Sequence, residues 1–387
     1  MDFATQRQAM VALLRERRAI SDPVAAGLLA VPRHLFLPGV DPEHAYRDEA
    51  IVIKRDAEGL PISSSSQPAI MATMLDQLGV EPGHRVLEIG AGTGYNAALL
   101  SHLAGPRGRV VSLDIDADLV AAAERHLSAA GAGQVEVVCA DGAEGFPEAA
   151  PYDRLIATVG VWDLAPAWLE QLGPQGRLVV PLDLRGVQVS VAMEREGGHW
   201  ASRSVVPCGF MRMRGAFAGP DEVHMLRQDG ELTLWLPEPR EIGDVLTSLD
   251  AVPTEIDTKV ADLSAAPVAG MGIALWLALR ERRWCVLSGK LGGGYGGTVA
   301  LVEGDGIAFL VGEGTMVVRG HGADGARLAA ELAGHVRAWA DAGRPKASDM
   351  RLTAHPRPAG GAGPRPQAGA GDVIIEKRHT DLLLSFP

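Results

Sequence analysis

An apolar run that ends in an acid and then breaks into alternating glycines constrains this chain more than anything else in it. The run is Val86-Leu87-Glu88-Ile89-Gly90-Ala91-Gly92-Thr93-Gly94-Tyr95-Asn96, and the Ala/Leu-rich stretch 97–100 follows at once. It reads as a strand, a tight turn and a helix, and the glycines leave the turn open enough for a ligand to touch backbone. A dinucleotide fingerprint, G-x-G-x-x-G, would put its last glycine where Tyr95 stands. The spacing is instead G-x-G-x-G, with Glu88 two residues ahead of the first glycine. Any α/β protein can place glycines after its first strand, so the turn alone leaves a purely structural reading open.

The following strands narrow the reading. Arg109–Asp114 forms a second apolar run ending in an acid, twenty residues after Gly94. At the carboxyl end of a strand in an open α/β sheet, such an acid can accept hydrogen bonds from a ribose diol. A third run, 135–139, leads into Asp141-Gly142, placed to meet an adenine amino group, and a fourth at 152–158 closes the nucleoside side. One acid after one strand is weak evidence, since acids commonly cap helices. Together, in this order and spacing, they resemble the cofactor motifs of S-adenosyl-L-methionine (SAM) methyltransferases. That resemblance implies SAM as cofactor and S-adenosyl-L-homocysteine as product. It implies cofactor contacts from Ser64, Glu88, Gly90, Ala91, Gly92, Thr93, Gly94, Asp114, Ile115, Asp141 and Gly142. Glu88 either caps the following turn, orders the glycine loop, or contacts the methionine amine through water.

With 387 residues the chain can build two domains with substantial cores. A net charge of −12 without a polybasic run argues against a nucleic-acid partner, because phosphate binding needs a basic surface. Cys139, Cys208 and Cys285 lie far apart, and the eleven histidines show no ligand spacing, so no metal site is expected. Cysteine usage fits a reducing cytoplasm. No apolar stretch approaches the length of a membrane span, and the charged first eighteen residues lack a signal-peptide core. A soluble cytoplasmic protein is the expectation.

The expected fold class is α/β: a Rossmann-like SAM-dependent methyltransferase domain with an additional C-terminal α+β domain. Residues 1–80 supply N-terminal helices and a substrate loop, 81–218 the SAM-binding core, and 219–387 the extension. Residues 2–18 read as an amphipathic helix with Phe3, Met10, Leu13 and Leu14 toward one side. A second helix opens at Ser21-Asp22-Pro23, with Asp22 as cap. After Ser63-Ser64-Ser65-Ser66-Gln67-Pro68, a third places Ile70, Met71, Met74, Leu75 and Leu78 on one buried face. Strands and helices then alternate to about residue 182, the pattern of a mostly parallel sheet.

Beyond residue 183 short β segments dominate, at 187–193, 232–236, 284–288, 298–302, 307–311 and 316–319. One helix, 324–342, turns Leu328, Leu332, Val336 and Trp339 inward. The Pro/Gly/Ala-rich stretch of about 356–371 reads as a flexible connection, and 372–386 as a terminal hairpin returning to the body. Lys290 beside Gly292-Gly293-Gly294 lacks the Lys-Ser/Thr ending of a phosphate loop and reads as a hairpin turn. Trp162, Trp168 and Trp339 read as core rather than ligand stackers.

Residues from about 5 to 215 resemble the protein-L-isoaspartate O-methyltransferase family. Val31-Pro32-Arg33-His34-Leu35-Phe36-Leu37-Pro38 is similar to its N-terminal signature, and Ser66-Gln67-Pro68 to its substrate-loop serine motif. Residues 88–95, Asp114-Ile115 and Asp141-Gly142 match its cofactor motifs; 171–181 and 208–215 match its later passages. Two features depart from the family. Residues 54–62 lack its Tyr-Gly, Gln and threonine and lead into four serines, and the chain continues for about 170 residues beyond the usual end. Long-tailed relatives resemble enzymes that tailor ribosomally made peptides. They methylate an ordinary aspartate, whose ester cyclises to an aspartimide.

The resemblance implies a carboxyl O-methyltransferase acting on a peptide, for preference a modified precursor peptide. Ser66 holds the acceptor carboxylate, helped by Ser65 and Gln67. A run of serines read plainly is a solvated linker. A carboxylate, with a pKa of about 4, needs no general base, only alignment at roughly 3 Å and exclusion of water. Isoaspartyl repair is the alternative activity, and a SAM- or peptide-binding module without turnover the alternative of another class. The extension reads equally as a peptide-recognition domain or as a dimerisation and stability element, so the oligomeric state is left open.

Overall fold

A computed structural model of the chain describes residues 2–17, 19–57, 59–227, 232–261, 271–291, 294–311, 314–357 and 365–386. Two compact units divide it. The first takes everything up to Asp183, then Gln188–Gly219 and Arg351–Ser385; the second takes Leu184–Val187, Pro220–Met350 and the end of the chain.

The first unit opens with helices α1 (Phe3–Arg17), α2 (Asp22–Ala30) and α3 (Pro42–Ala45), followed by a hairpin of β1 (Ile51–Arg55) and β2 (Pro61–Ser65). In α1 the buried residues are Met10, Val11 and Leu14; Phe3 is exposed and stacks on His34, ring centres 3.8 Å apart. Ser21, not Asp22, caps α2, its hydroxyl accepting from the Val24 N–H at 3.4 Å. Helix α4 (Pro68–Leu78) starts on a proline and ends at Gly79 in the left-handed region, φ 60°. It buries Met71, Met74, Leu75 and Leu78 as the spacing predicts, with Ile70 only half-buried.

Then come β3 (Arg85–Ile89), α5 (Tyr95–Ala104), β4 (Arg109–Asp114), α6 (Ala117–Ala129), β5 (Glu136–Cys139), β6 (Tyr152–Ala157), α7 (Pro166–Gln171), β7 (Leu172–Leu184), β8 (Val187–Glu196) and β9 (His199–Pro207). Strands β7, β6, β3, β4 and β5 lie side by side in that order, and their pairings are parallel. Adjacent residues Val86-Leu87 and Val110-Val111 are all buried, as in parallel strands covered on both faces. Val86, Val110, Ile156 and Val179, one from each of four neighbouring strands, share one apolar cluster with Leu14, Leu28, Leu75 and Leu99 of the helices. Strand β9 pairs antiparallel with β8 and continues the sheet.

The second unit holds β10 (Glu222–Met225), β11 (Leu232–Leu236), α8 (Val245–Leu249), β12 (Thr254–Ala261), α9 (Met271–Arg280), β13 (Trp284–Leu291), β14 (Gly294–Glu303), β15 (Gly306–Val311), β16 (Thr315–His321) and α10 (Gly325–Asp341). Its strands form one sheet in the order β10-β11-β13-β14-β15-β16-β12. Leu328, Leu332, Val336 and Trp339 are buried on α10, which packs on β12, β15 and β16. Strands β13 and β14 form a hairpin paired out to Leu291 opposite Gly294; residues 292–293 lie outside the described residues.

The chain then returns to the first unit. Strand β17 (Arg351–Pro356) pairs with β9, β19 (Thr380–Ser385) with β17, and β18 (Val373–Glu376) with β19. The first sheet thereby reaches ten strands, β18-β19-β17-β9-β8-β7-β6-β3-β4-β5. A single extension over 219–387 is therefore corrected: 351–385 belong with the methyltransferase unit. Without β17, the edge of β9 would present a row of unsatisfied backbone groups, and β17 brings fully buried Leu352 and Ala354 to it. Part of the expected connection at about 356–371 lies outside the described residues. No described helix is long and apolar enough to cross a membrane.

Candidate active site

The carboxyl ends of the parallel strands carry the cleft, where an open α/β sheet binds its ligands. The chain turns sharply after β3, with Gly90, Gly92 and Gly94 all at positive φ (99°, 53° and 85°). A Cβ on Gly90 would sit 2.9 Å from both Thr158 Oγ1 and Val159 Cγ1, so only glycine fits against the end of β6. The Gly90 and Ala91 amides donate to the Leu113 carbonyl at 2.8 and 2.9 Å, which draws the turn over β4. There Asp114 takes the Gly92 amide on Oδ2 at 2.9 Å and the Asp116 amide on Oδ1 at 3.1 Å.

Beneath the turn Glu88 is fully buried. Asn96 Nδ2 donates to its Oε1 at 2.7 Å and Ser112 Oγ to its Oε2 at 2.5 Å. Burial pushes the carboxyl up to about 7 although both donors favour the anion. Glu88 thus braces Asn96, which lines the cleft, and is not itself among the lining residues. Gly94 also stands back from the cleft: a Cβ there would meet Leu127 and Ala123 at 3.2 and 3.3 Å, so it seats α5 against α6.

The serine run forms the opposing wall. Ser63, Ser64, Ser65 and Ser66 all line the cleft, with Ser63 Oγ and the Ser64 carbonyl each 3.9 Å from where a Gly92 Cβ would be. Arg33, buried beneath, donates from Nη1 to the Ser66 carbonyl at 2.9 Å and from Nη2 to the Glu49 carbonyl at 3.3 Å. Gln67 is drawn away: its Nε2 donates to the Asp48 carbonyl at 3.0 Å, and the residue does not line the cleft. A role for Gln67 on the acceptor is therefore corrected to one of fixing the loop.

At the far end Gly142 lines the cleft, but Asp141 does not. The Asp141 carboxylate accepts from the Ala143 amide at 3.0 Å and the Ala216 amide at 3.1 Å, capping one turn and tethering another. Thr93 and Ile115 are among the lining residues with Gly90, Ala91, Gly92 and Asp114. Trp168 is fully buried, its Nε1 donating to the Gly142 carbonyl at 2.7 Å, and Trp339 is 8% exposed, whereas Trp162 is half-buried.

One wall has no counterpart among the expected site residues: Phe210, Met211, Arg212, Met213 and Arg214. It is held by backbone, the Gly160 amide donating to Met211 at 2.7 Å and the Met213 amide to Gly160 at 2.8 Å. Arg214 Nη2 lies 2.6 Å from Asp116 Oδ2, and Lys54 Nζ 3.2 Å from the same oxygen. Hydrogen bonding to Arg214, and then to Lys54, holds the Asp116 carboxyl below its ordinary value. The alternation of apolar and cationic residues over 210–214 is the signal in the sequence that marks this wall.

The residues present fit SAM. Asp114 and Gly142 line the cleft at the carboxyl ends of neighbouring strands, and the glycine turn offers backbone at close approach. Two buried hydroxyls in the lining, Ser65 Oγ and Tyr95 Oη, have no hydrogen-bond partner among the described residues.

Comparison with known proteins agrees. The family model for protein-L-isoaspartate (D-aspartate) O-methyltransferase matches residues 5–216. The protein-L-isoaspartate O-methyltransferase of Methanoregula boonei is 38% identical over 213 residues, 55% of this chain and 94% of that protein. That of Thermotoga maritima is 40% identical over 171 residues, covering 44% of this chain and 53% of that protein. A solved protein-L-isoaspartate O-methyltransferase, 26% identical with a TM-score of 0.53, covers 90% of this chain and 96% of its own. That alignment extends well past the last residue the family model matches. With the glycine turn, Asp114 and the serine wall converging on one cleft, the chain belongs to the protein-L-isoaspartate O-methyltransferase family of SAM-dependent carboxyl O-methyltransferases.

Proposed function

We propose that this protein methylates the side-chain carboxylate of an Asp within a peptide, and that the ester then closes to an aspartimide. The observation that carries the reading is the set of ionisable groups in the cleft. Among the described lining residues these are Asp114, Tyr95, Arg212 and Arg214. Asp114 takes two backbone amides and is assigned to the nucleoside end, and burial drives the Tyr95 phenol further from ionising, so neither is offered to the acceptor as a base. An amine or alcohol acceptor would have to lose a proton. A carboxylate arrives already ionised, because its pKa is about 4.

SAM, when bound, supplies an electrophilic methyl group. Gly90, Ala91, Gly92, Thr93, Asp114, Ile115 and Gly142 are assigned to holding it, with Ser64 from the facing wall. Ser66 and Ser65 hold the acceptor, and closure of the serine wall excludes water. One carboxylate oxygen forms the O–C bond as the C–S bond breaks, and the electron pair stays on sulfur. In ring closure the backbone nitrogen after the Asp attacks the ester carbonyl. The C–N bond forms, and the methoxy group departs with the amide proton as methanol.

A modified precursor peptide is the preferred substrate, supported by the departure of residues 54–62 from the family pattern and by the length beyond residue 216. Such a peptide places the enzyme in the cytoplasm, which three free cysteines accord with. Isoaspartyl repair is the second reading. It is favoured by the names of the relatives and by the solved member that covers 90% of this chain. The test is incubation with SAM and either a constrained Asp-containing precursor peptide or a linear L-isoaspartyl peptide, followed by mass spectrometry. Methyl gain and then loss of methanol on the former supports the proposal. Strong preference for the latter establishes repair, and SAM binding with turnover on neither leaves a binding module.

A further inference from the structure

Lys377 lies in the turn between β18 and β19, yet its side chain is only 2% exposed. Its Nζ is 3.7 Å from Asp183 Oδ1 and 4.9 Å from the centre of the Trp162 ring. Asp183, itself 3% exposed, has Oδ2 3.4 Å from Nη1 of Arg212, which lines the cleft. One buried carboxylate thus joins a cation of the C-terminal hairpin to a cation of the cleft wall. The hairpin turn is pinned independently. Asp163 accepts from the His379 amide and from Thr380 Oγ1, both at 2.6 Å, and Phe217 stacks on His379 with centres 5.2 Å apart. Lys377 is therefore held, not a side chain free to swing.

The place of Arg212 along the cleft decides what it faces. Strand order β6-β3-β4-β5 runs from Thr158, past the glycine turn and Asp114, to Gly142. Asp114 and Gly142 mark the nucleoside end, so the reacting end lies toward β6. Arg212 bridges to Gly160, just beyond β6. A guanidinium there presents five N–H donors in a planar fork, more than one carboxylate can take and well matched to a second. Lys377 and Asp183 are buried and Arg212 is half-buried; charges taken out of water are a poor source of stability, and their use is in fixing position.

We infer that Arg212 binds the acceptor carboxylate and that Lys377, acting through Asp183, is the positioning residue that holds Arg212 at the reacting end. The inference rests on the carboxylate-acceptor reading above. It makes the last strands of the chain part of the acceptor site, although no residue of the hairpin lines the cleft.

The test uses full-length wild type, R212Q, K377M, K377R and the R212Q/K377M double variant. Two readouts are taken with whichever of the two peptides binds: steady-state kinetics, and equilibrium binding of fluorescent peptide in the presence of S-adenosyl-L-homocysteine. R212Q and K377M should each raise the peptide Kd and KM about tenfold, the scale of a hydrogen bond between charged groups. Affinity for S-adenosyl-L-homocysteine should not change. K377R should recover wild-type binding, and the double variant should bind no worse than R212Q alone, because the two residues act in series. Wild-type peptide affinity in K377M, or penalties that add in the double variant, overturns the inference. Should K377M not fold, K377Q takes its place in the same cycle. Methyl transfer by the wild type to an amine or alcohol instead defeats the underlying reading, and the binding arm separates that failure from this one.

Discussion

Glu88 has no solvent contact and sits between two donors, Asn96 and Ser112, yet burial carries its carboxyl from an ordinary value of 4.5 up to about 7. The consequence for stability has a definite sign. Between these two values the folded protein keeps a proton that the unfolded chain has already released. Stability must therefore fall as pH rises through that window, levelling off below 4.5 and above 7. From pH 5 to pH 8 the loss attributable to this one group is about 2–3 kcal/mol, a large part of a domain's margin.

Replacing Glu88 with glutamine removes the titration and keeps the shape. The amide oxygen can accept from Asn96 while the amide nitrogen turns to Ser112 Oγ. Urea denaturation of both proteins at pH 5, 6, 7 and 8 isolates the term, since every other titrating group cancels in the difference. The stability of Glu88→Gln relative to wild type should climb by about 2–3 kcal/mol across the series, most steeply between pH 5 and 7. A flat difference would show that Glu88 is ionised throughout, and a declining one that the two hydrogen bonds outweigh burial; either refutes the reasoning.

Three further perturbations follow from the same geometry. Gly90→Ala forces a Cβ to within 2.9 Å of Thr158 Oγ1 and Val159 Cγ1 at a φ of 99°, and should weaken S-adenosyl-L-homocysteine binding at least about tenfold by calorimetry. Unchanged affinity would remove the turn from the cofactor site. Asp163→Ala strips the partners from the His379 amide and Thr380 Oγ1, and should cost about 2–4 kcal/mol and speed proteolysis near residues 377–380. Equal cleavage rates in both proteins would show that the hairpin is held by its strands alone. Arg33→Met releases the Ser66 carbonyl, and peptide kcat/KM should fall about tenfold with S-adenosyl-L-homocysteine affinity intact, whereas parallel loss of both would indicate a general collapse of the wall.

The parts of the site that sequence revealed are those whose chemistry is local. Three glycines at alternate positions are needed by one turn, and Asp114 follows its own strand, so spacing alone located them. The serines were legible as a group but not individually. Strand β2 turns Ser65 into the wall with 3% exposure and leaves its neighbours half-buried, a distinction that depends on pairing with β1. Gln67 misled because its partner, the Asp48 carbonyl, lies on another loop. The hairpin at 372–386 was recognisable in the sequence, whereas strand β17 at Arg351–Pro356 was not among the segments read from it. Which of two sheets they would join was a long-range choice, since β17 alternates much as a strand of either unit would. Contact between Lys377, Asp183 and Arg212 spans half the chain and leaves no periodic trace.

Arg212 also makes a kinetic prediction that separates holding the acceptor from driving the reaction. A carboxylate attacking a sulfonium is an anion meeting a cation, and both charges shrink as the O–C bond forms. A guanidinium beside the carboxylate therefore favours the bound ground state over the transition state, where less negative charge remains for it to hold. Interactions stronger in the ground state lower KM without raising kcat. R212Q should accordingly raise peptide KM about tenfold while kcat stays within about twofold or rises. Steady-state kinetics at saturating SAM over a full range of peptide concentrations reads both constants. A fall in kcat with KM unchanged would mean that Arg212 acts in the transition state, through alignment rather than charge. That outcome would also remove Arg212 from the binding of the acceptor, and with it the part assigned to Lys377 and Asp183.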